Sequence, residues 1–311
     1  MTGEAKSQPR GLGGRLIGGE IDAAIRPVLG VAFLQAIAEG AQTSFLGLWA
    51  LRALGASQTE LGLTFAAAAI GAIGAGYLGG KLSDRIGRRR PILVASAALV
   101  VFGTALAFAG HHVLLGLALM VCLGAAGGTL LTAHQVVLTD LVPRERHEHA
   151  FASARVVQNI GFVAGPLIGA GLLTIGWRTL FLGTSVIAAL AFVVALGAIP
   201  RQLPFSPDES EEGGSLRALV RDPSFCVILA AGTLAAMVYI SYETLLPISL
   251  VQSHGVAPAA WGILLAINPI AVVLFQIRVT SGAGRLHEFA RLAVGVSAMG
   301  TPFLLVAVST A

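Results

Sequence analysis

Gly80-Lys81-Leu82-Ser83-Asp84-Arg85-Ile86-Gly87-Arg88-Arg89 packs four cations and one carboxylate into ten residues, and Arg90 follows directly. On each side runs an apolar stretch of about twenty residues, the length a helix needs to cross a bilayer. The whole 311-residue chain shares that character: it is 55% hydrophobic and 12% charged, with mean hydropathy +0.82. A soluble domain carries roughly 25% charged residues. This chain lacks the polar groups to cover a water-facing surface, so lipid is expected to form part of its solvent.

Working outward from the basic knot, nine apolar stretches approach spanning length: 28–51, 61–80, 91–110, 113–139, 153–175, 178–199, 224–250, 258–280 and 290–310. The first is too long for the roughly 7–15-residue core of a cleavable signal and reads as a span. Only Gly110-His111-His112 separates the third stretch from the fourth, which predicts a tight hairpin. With the N-terminus placed in the cytoplasm, 18 of the 20 Lys and Arg residues fall on the cytoplasmic side. Only Arg52 and Arg178 fall outside. Cytoplasmic loops carry such an excess, so the split supports both the span count and a multi-pass protein of the cell membrane. The net charge of +4 is therefore spent on membrane topology. No aromatic-basic interleaving of the kind that stacks bases is present, so nucleic acid is not an expected partner. Cys122 and Cys226 lie in or beside apolar runs and read as small buried hydrophobes. His111-His112 has no companion ligands, so neither a metal nor a cofactor is expected.

The longest polar segment, 200–223, contains Asp208-Glu209-Ser210-Glu211-Glu212-Gly213-Gly214 and reads as a flexible cytoplasmic linker. It divides the chain into a cytoplasmic tail (1–27), a six-helix bundle (28–199) and a three-helix partial bundle (224–311). At an offset of 200 residues Gly55 matches Gly255, Gly62 matches Gly262 and Arg85 matches Arg285. That faint repeat pairs span 1 with span 7 and span 2 with span 8. Duplicated helical bundles are common among secondary transporters.

The opening stretch resembles the signature Gly-x-Leu-x-Asp-Arg-x-Gly-Arg-Arg between spans 2 and 3 of the major facilitator superfamily, with all seven specified positions matched. Gly80 and Gly87 permit a tight turn and close backbone approach. Asp84 suits a helix N-terminus or a basic partner, and Arg85, Arg88 and Arg89 are expected to face anionic headgroups. The resemblance implies that this loop is a cytoplasmic gate latching the two halves of the molecule. Gly161-Phe162-Val163-Ala164-Gly165-Pro166-Leu167-Ile168-Gly169 resembles a motif of the family's drug:proton antiporters, the efflux branch. Its glycines recur every four residues on one helix face, which allows close helix crossing, and Pro166 removes one backbone hydrogen bond. Trp177-Arg178-x-x-Phe181, at the start of span 6, also looks typical of the family. Two departures stand beside these matches. The arginine that the efflux branch carries in span 4 falls on Met120, which leaves proton coupling without its usual partner. The resemblance also implies twelve spans, so spans 10–12 are expected to be missing and the chain to be truncated after the ninth.

Within the spans, Glu39 lies near the middle of span 1 and Glu243 in the outer half of span 7. A charge at such depth costs roughly 2.5–3.5 kcal/mol and usually lines a cavity. A carboxyl that exchanges a proton there is what a coupling site requires. Gln35 and Gln42 flank Glu39, and Tyr239 and Tyr242 flank Glu243. Together they predict a cavity suited to an amphipathic or cationic organic solute. Each carboxyl also has a bland reading, as a helix-packing group. His134, Gln135, Gln158, Asn159 and Asn268 read chiefly as interhelical hydrogen-bonding residues. Asp140, Arg144 and Arg146 either pair with the Asp84–Arg90 loop or remain solvated.

The expectation is thus an all-α integral membrane protein with major facilitator type bundles. It would not be an enzyme but a secondary transporter exporting a small organic molecule or drug against an inward flow of protons. Uptake of a sugar or metabolite on the same fold, or a truncated membrane protein that transports nothing, are the alternatives.

Overall fold

The computed structural model describes residues 23–110, 112–200 and 220–248, together with isolated positions between 257 and 297. The expected spans 8 and 9, the linker at 201–219, the basic loop around Arg285, Asn268 and most of the N-terminal tail lie outside the described residues.

Among the described residues, seven long helices follow the apolar segments: α1 (Arg26–Arg52), α2 (Gln58–Ile86), α3 (Arg89–Leu106), α4 (Val113–Leu141), α5 (His147–Leu173), α6 (Trp177–Ala198) and α7 (Pro223–Ile248). A single 3-10 turn, Arg144–Arg146, joins α4 to α5. Among the described residues no strand occurs. Five helical segments of the described residues are both long and apolar enough to cross a membrane: Gln58–Ser83, Arg89–Leu106, Val113–Leu141, Ala150–Leu173 and Trp177–Gly197. Their outward faces carry large apolar side chains such as Ile73 and Leu114, which are 75% and 82% exposed. Exposure of that kind along whole helices fits a hydrocarbon solvent.

Helix boundaries follow local chemistry. Ser57 and Glu60 close a reciprocal capping box on α2, with Ser57 N–H donating to Glu60 Oε2 at 2.8 Å and Glu60 N–H to Ser57 Oγ at 3.2 Å. Asp222 caps α7 by accepting from Ser224 N–H at 2.9 Å. Gly87, at φ 88°, separates α2 from α3. The hairpin between α3 and α4 is longer than its apolar residues suggest. α3 stops at Leu106 and α4 begins at Val113, with Gly110 at positive φ between them.

The chain divides into two compact units, 1–205 with 262–277 and 206–261 with 278–311. In the first, α1 packs against α5 and α6, α4 against α2 and α3, and α3 against α6. Helix α1 is the most enclosed of these, with buried residues from Val28 to Ala50 distributed around its circumference. One core cluster joins Ile25, at the N-cap of α1, and Val28 and Val31 of α1 to Ile92 of α3, Leu130 and Val137 of α4, Ala154 of α5 and Ala195 of α6. In the second unit, α7 is the long described helix; Tyr239, Tyr242 and Glu243 lie on it, and their side chains are outside the described residues.

Candidate functional site

The glycine ladder of α5 seats that helix on α1. A Cβ at Gly161 would stand 2.6 Å from Ala36 Cβ, one at Gly165 2.8 Å from both Ala41 N and Ile37 O, and one at Gly169 2.7 Å from Ala41 O. No side chain fits at those distances, so the two backbones touch. Pro166 lies within the continuous helix, and its Cδ would be 3.5 Å from a Cβ at Gly40. A second close seam, which the sequence reading missed, joins α4 to α2. There, Cβ atoms at Gly124 and Gly128 would each lie 2.1 Å from a backbone oxygen, that of Ala68 or Ala72. The matched four-residue spacings of Gly124/Gly128 and Ala68/Ala72 were the available signal.

Between these tightly seated helices lies a cavity of about 400 Å³. Its wall includes Gln35, Glu39 and Gln42 of α1, so three of the expected site residues are brought together. Met120 and His134 of α4, Gln158 and Phe162 of α5, and Thr184 and Ser185 of α6 also line it. Glu39 is exposed, Gln42 half-buried and Gln35 buried. Gln35 Nε2 donates to the buried Ser96 Oγ at 2.9 Å, a partner on α3 not anticipated from sequence. The hydroxyls of the wall are satisfied by their own helices. Thr43 Oγ1 donates to Glu39 O at 2.8 Å, and Ser185 Oγ to Phe181 O at 2.8 Å. Asn159 does not line the cavity; it donates to Arg155 O at 2.8 Å on the exposed side of α5. At the end remote from the basic loop, Phe181 is fully buried and meets Trp49 edge to face at 5.1 Å. Arg178 lies 4.4 Å over the Phe108 ring.

The basic loop differs in detail from its sequence reading. Gly80 lies inside α2, where a Cβ would make an ordinary 3.6 Å contact with Thr132 Cγ2; the turn belongs to Gly87 alone. Arg85 and Arg90 are exposed, but Arg88 does not face outward. Its guanidinium Nε donates to Asp140 Oδ2 at 2.8 Å, and the two side chains are only 10% and 20% exposed. Arg88 Nη1 also reaches Ser83 Oγ at 3.4 Å, and Arg89 Nη2 donates to Leu196 O at the end of α6. A charge-assisted pair held away from water is stronger than one to solvent, so these two arginines tie the loop to α4 and α6. Asp84 occupies the last turn of α2, and its side chain is outside the described residues.

Comparison with known proteins agrees with this architecture. The chain is 26% identical over 261 residues to the uncharacterized MFS-type transporter YqjV of Bacillus subtilis, covering 81% of this chain and 62% of the relative. It is 30% identical over 126 residues to the multi-drug resistance efflux pump PmrA homolog of Lactococcus lactis, covering 40% and 31%. The chain thus spans about three-fifths of the length of the longer-matched relatives. Among solved structures, a bacterial homologue of the human drug peptide transporters PepT1 and PepT2 superposes with a TM-score of 0.66 at 12% identity. That superposition covers 83% of this chain and 70% of the other. The sequence profile of the Major Facilitator Superfamily matches residues 28–311. With its apolar helical bundle and its glycine-seated cavity, the chain belongs to the Major Facilitator Superfamily.

Proposed function

We propose that this chain carries out proton-driven efflux of a small neutral or cationic organic molecule by alternating access. The composition of the cavity wall carries the reading. Among the described residues it holds one carboxylate, Glu39, and neither Lys nor Arg, amid mostly apolar residues. Such a wall favours a greasy solute, tolerates a positive charge and disfavours an anion. Glu39 is the proton-exchanging group, and Gln35 and Gln42 supply polar contacts beside it. The efflux direction draws support from the Gly161–Gly169 ladder, which resembles that of drug:proton antiporters, and from the similarity to an efflux pump. The basic loop acts as the cytoplasmic latch, with Arg88 and Asp140 as its fixed side. The excess of cations at that end supports a cytoplasmic position for it and for the N-terminus. The segment 200–223 serves as a linker between the two bundles. Tyr239, Tyr242 and Glu243 remain candidates on the sequence alone.

The test uses the purified chain in liposomes, with ethidium as the probe and an imposed pH gradient. Gradient-driven ethidium flux is expected, abolished in Glu39→Gln while membrane insertion stays intact. Unchanged flux in that variant removes Glu39 from the mechanism. Ethidium accumulation only in right-side-out vesicles would reverse the direction and favour uptake, and the absence of gradient-driven flux would favour a chain that transports nothing.

A further inference from the structure

Two atoms of the cavity wall stand apart from the rest. Gln35 and His134 are 7% and 5% exposed, yet Gln35 Oε1 and His134 Nε2 have no hydrogen-bond partner among the described residues. Buried polar atoms are nearly always paired. The neighbouring hydroxyls follow that rule by bonding their own helices, as Thr43, Thr184 and Ser185 do. The Gln35 amide is anchored by its bond to Ser96, so its oxygen is held in place. His134 is buried on α4, as are its helix neighbours Ala133 and Val137.

The two residues also share a depth. Gln35 is nine residues from Arg26 at the basic end of α1, and His134 is seven residues from Leu141 at the basic end of α4. At 1.5 Å per residue these are about 13 and 10 Å from that end. Glu39 sits about 6 Å farther along α1.

We infer that Gln35 Oε1 and His134 Nε2 form a specificity subsite that grips the uncharged hydrogen-bonding head of the solute, a carboxamide or hydroxyl on an apolar body. This assignment rests on the cavity being the solute's path. Gln35 Oε1 only accepts, while the imidazole nitrogen gives or takes according to its tautomer. A group that donates to the amide oxygen and offers a second polar atom to the ring satisfies both. A carboxylate or phosphate cannot satisfy both: the amide oxygen repels it, and among the described residues no Lys or Arg lines the cavity to neutralise it. The apolar remainder of the solute then lies along Leu99, Met120 and Leu131.

The experiment measures equilibrium binding of tritiated 2-naphthamide and N,N-dimethyl-2-naphthamide to the full chain in lipid nanodiscs. Removing the two N–H donors leaves the aromatic body unchanged. The wild type is expected to bind 2-naphthamide about fivefold to tenfold more tightly, the value of one retained hydrogen bond. Gln35→Leu and His134→Leu should each bring that ratio near one, and His134→Gln should restore part of it. Where a leucine variant fails to reconstitute, Gln35→Met and His134→Phe serve the same purpose. A wild-type ratio near one, or no binding of 2-naphthamide, assigns the two atoms to bound water and overturns the subsite. A ratio unaltered by the apolar variants overturns it as well. The ethidium flux assay is independent: flux with no amide preference sinks the subsite alone, and amide preference without flux sinks proton-driven efflux alone.

Discussion

Replacing Gly165 with alanine tests whether backbone contact between α1 and α5 holds the cavity wall together. The added Cβ would lie 2.8 Å from Ala41 N and 2.8 Å from Ile37 O. Both are backbone atoms, so no side chain can rotate away. Ordinary contact needs about 0.6 Å more. The helices must part by that distance, and the neighbouring contacts at Gly161 and Gly169 loosen with them. Overpacking of this kind costs about 1–3 kcal/mol. Gly171, on the same helix, has nothing within 4 Å of its Cβ position and provides the matched control. Gly171→Ala is expected to leave stability unchanged or raise it slightly, since alanine is the better helix former by up to about 1 kcal/mol. Unfolding in mixed detergent micelles, followed by tryptophan fluorescence, measures both. Trp49 reports directly, because it sits on α1 against Phe181. If Gly165→Ala proves as stable as Gly171→Ala, the helices are not in backbone contact and the account of the seam is wrong.

Two further outcomes concern the basic loop. Gly87→Ala forces a Cβ onto a backbone with φ of 88° and should destabilise the loop by about 1–2 kcal/mol; stability equal to wild type in the same unfolding assay would show that the turn does not require glycine. Arg88→Gln and Asp140→Asn should each lose about 1–3 kcal/mol by removing the charge-assisted bond between two largely buried side chains, and the double variant should lose clearly less than the sum of the two; strict additivity would show that the 2.8 Å pair contributes no coupling.

Much of this protein was legible from residue order because the bilayer imposes simple rules. Length and apolarity alone locate a spanning helix, and α1 to α7 fall on the first seven predicted segments. The departures are mostly at helix ends, where His147 extends α5 and Leu106 stops α3 short. The Gly161–Gly169 spacing disclosed a contact face because a helix repeats every 3.6 residues, so every fourth residue lies on one side. The grouping of Gln35, Glu39 and Gln42 on one wall followed from the same periodicity.

Residue order could not reveal which partner each face meets. That Arg88 turns inward to Asp140, 52 residues away, while Arg85 stays exposed depends on how α4 lies beside the loop. That Gln35 is clamped by Ser96, and that His134 lines the same cavity with a nitrogen left over, depends on three helices converging. Local chemistry sets where each helix begins, where it ends and which of its stripes is polar. Pairing between distant groups is a matter of distance in space, and only the packed bundle fixes those distances.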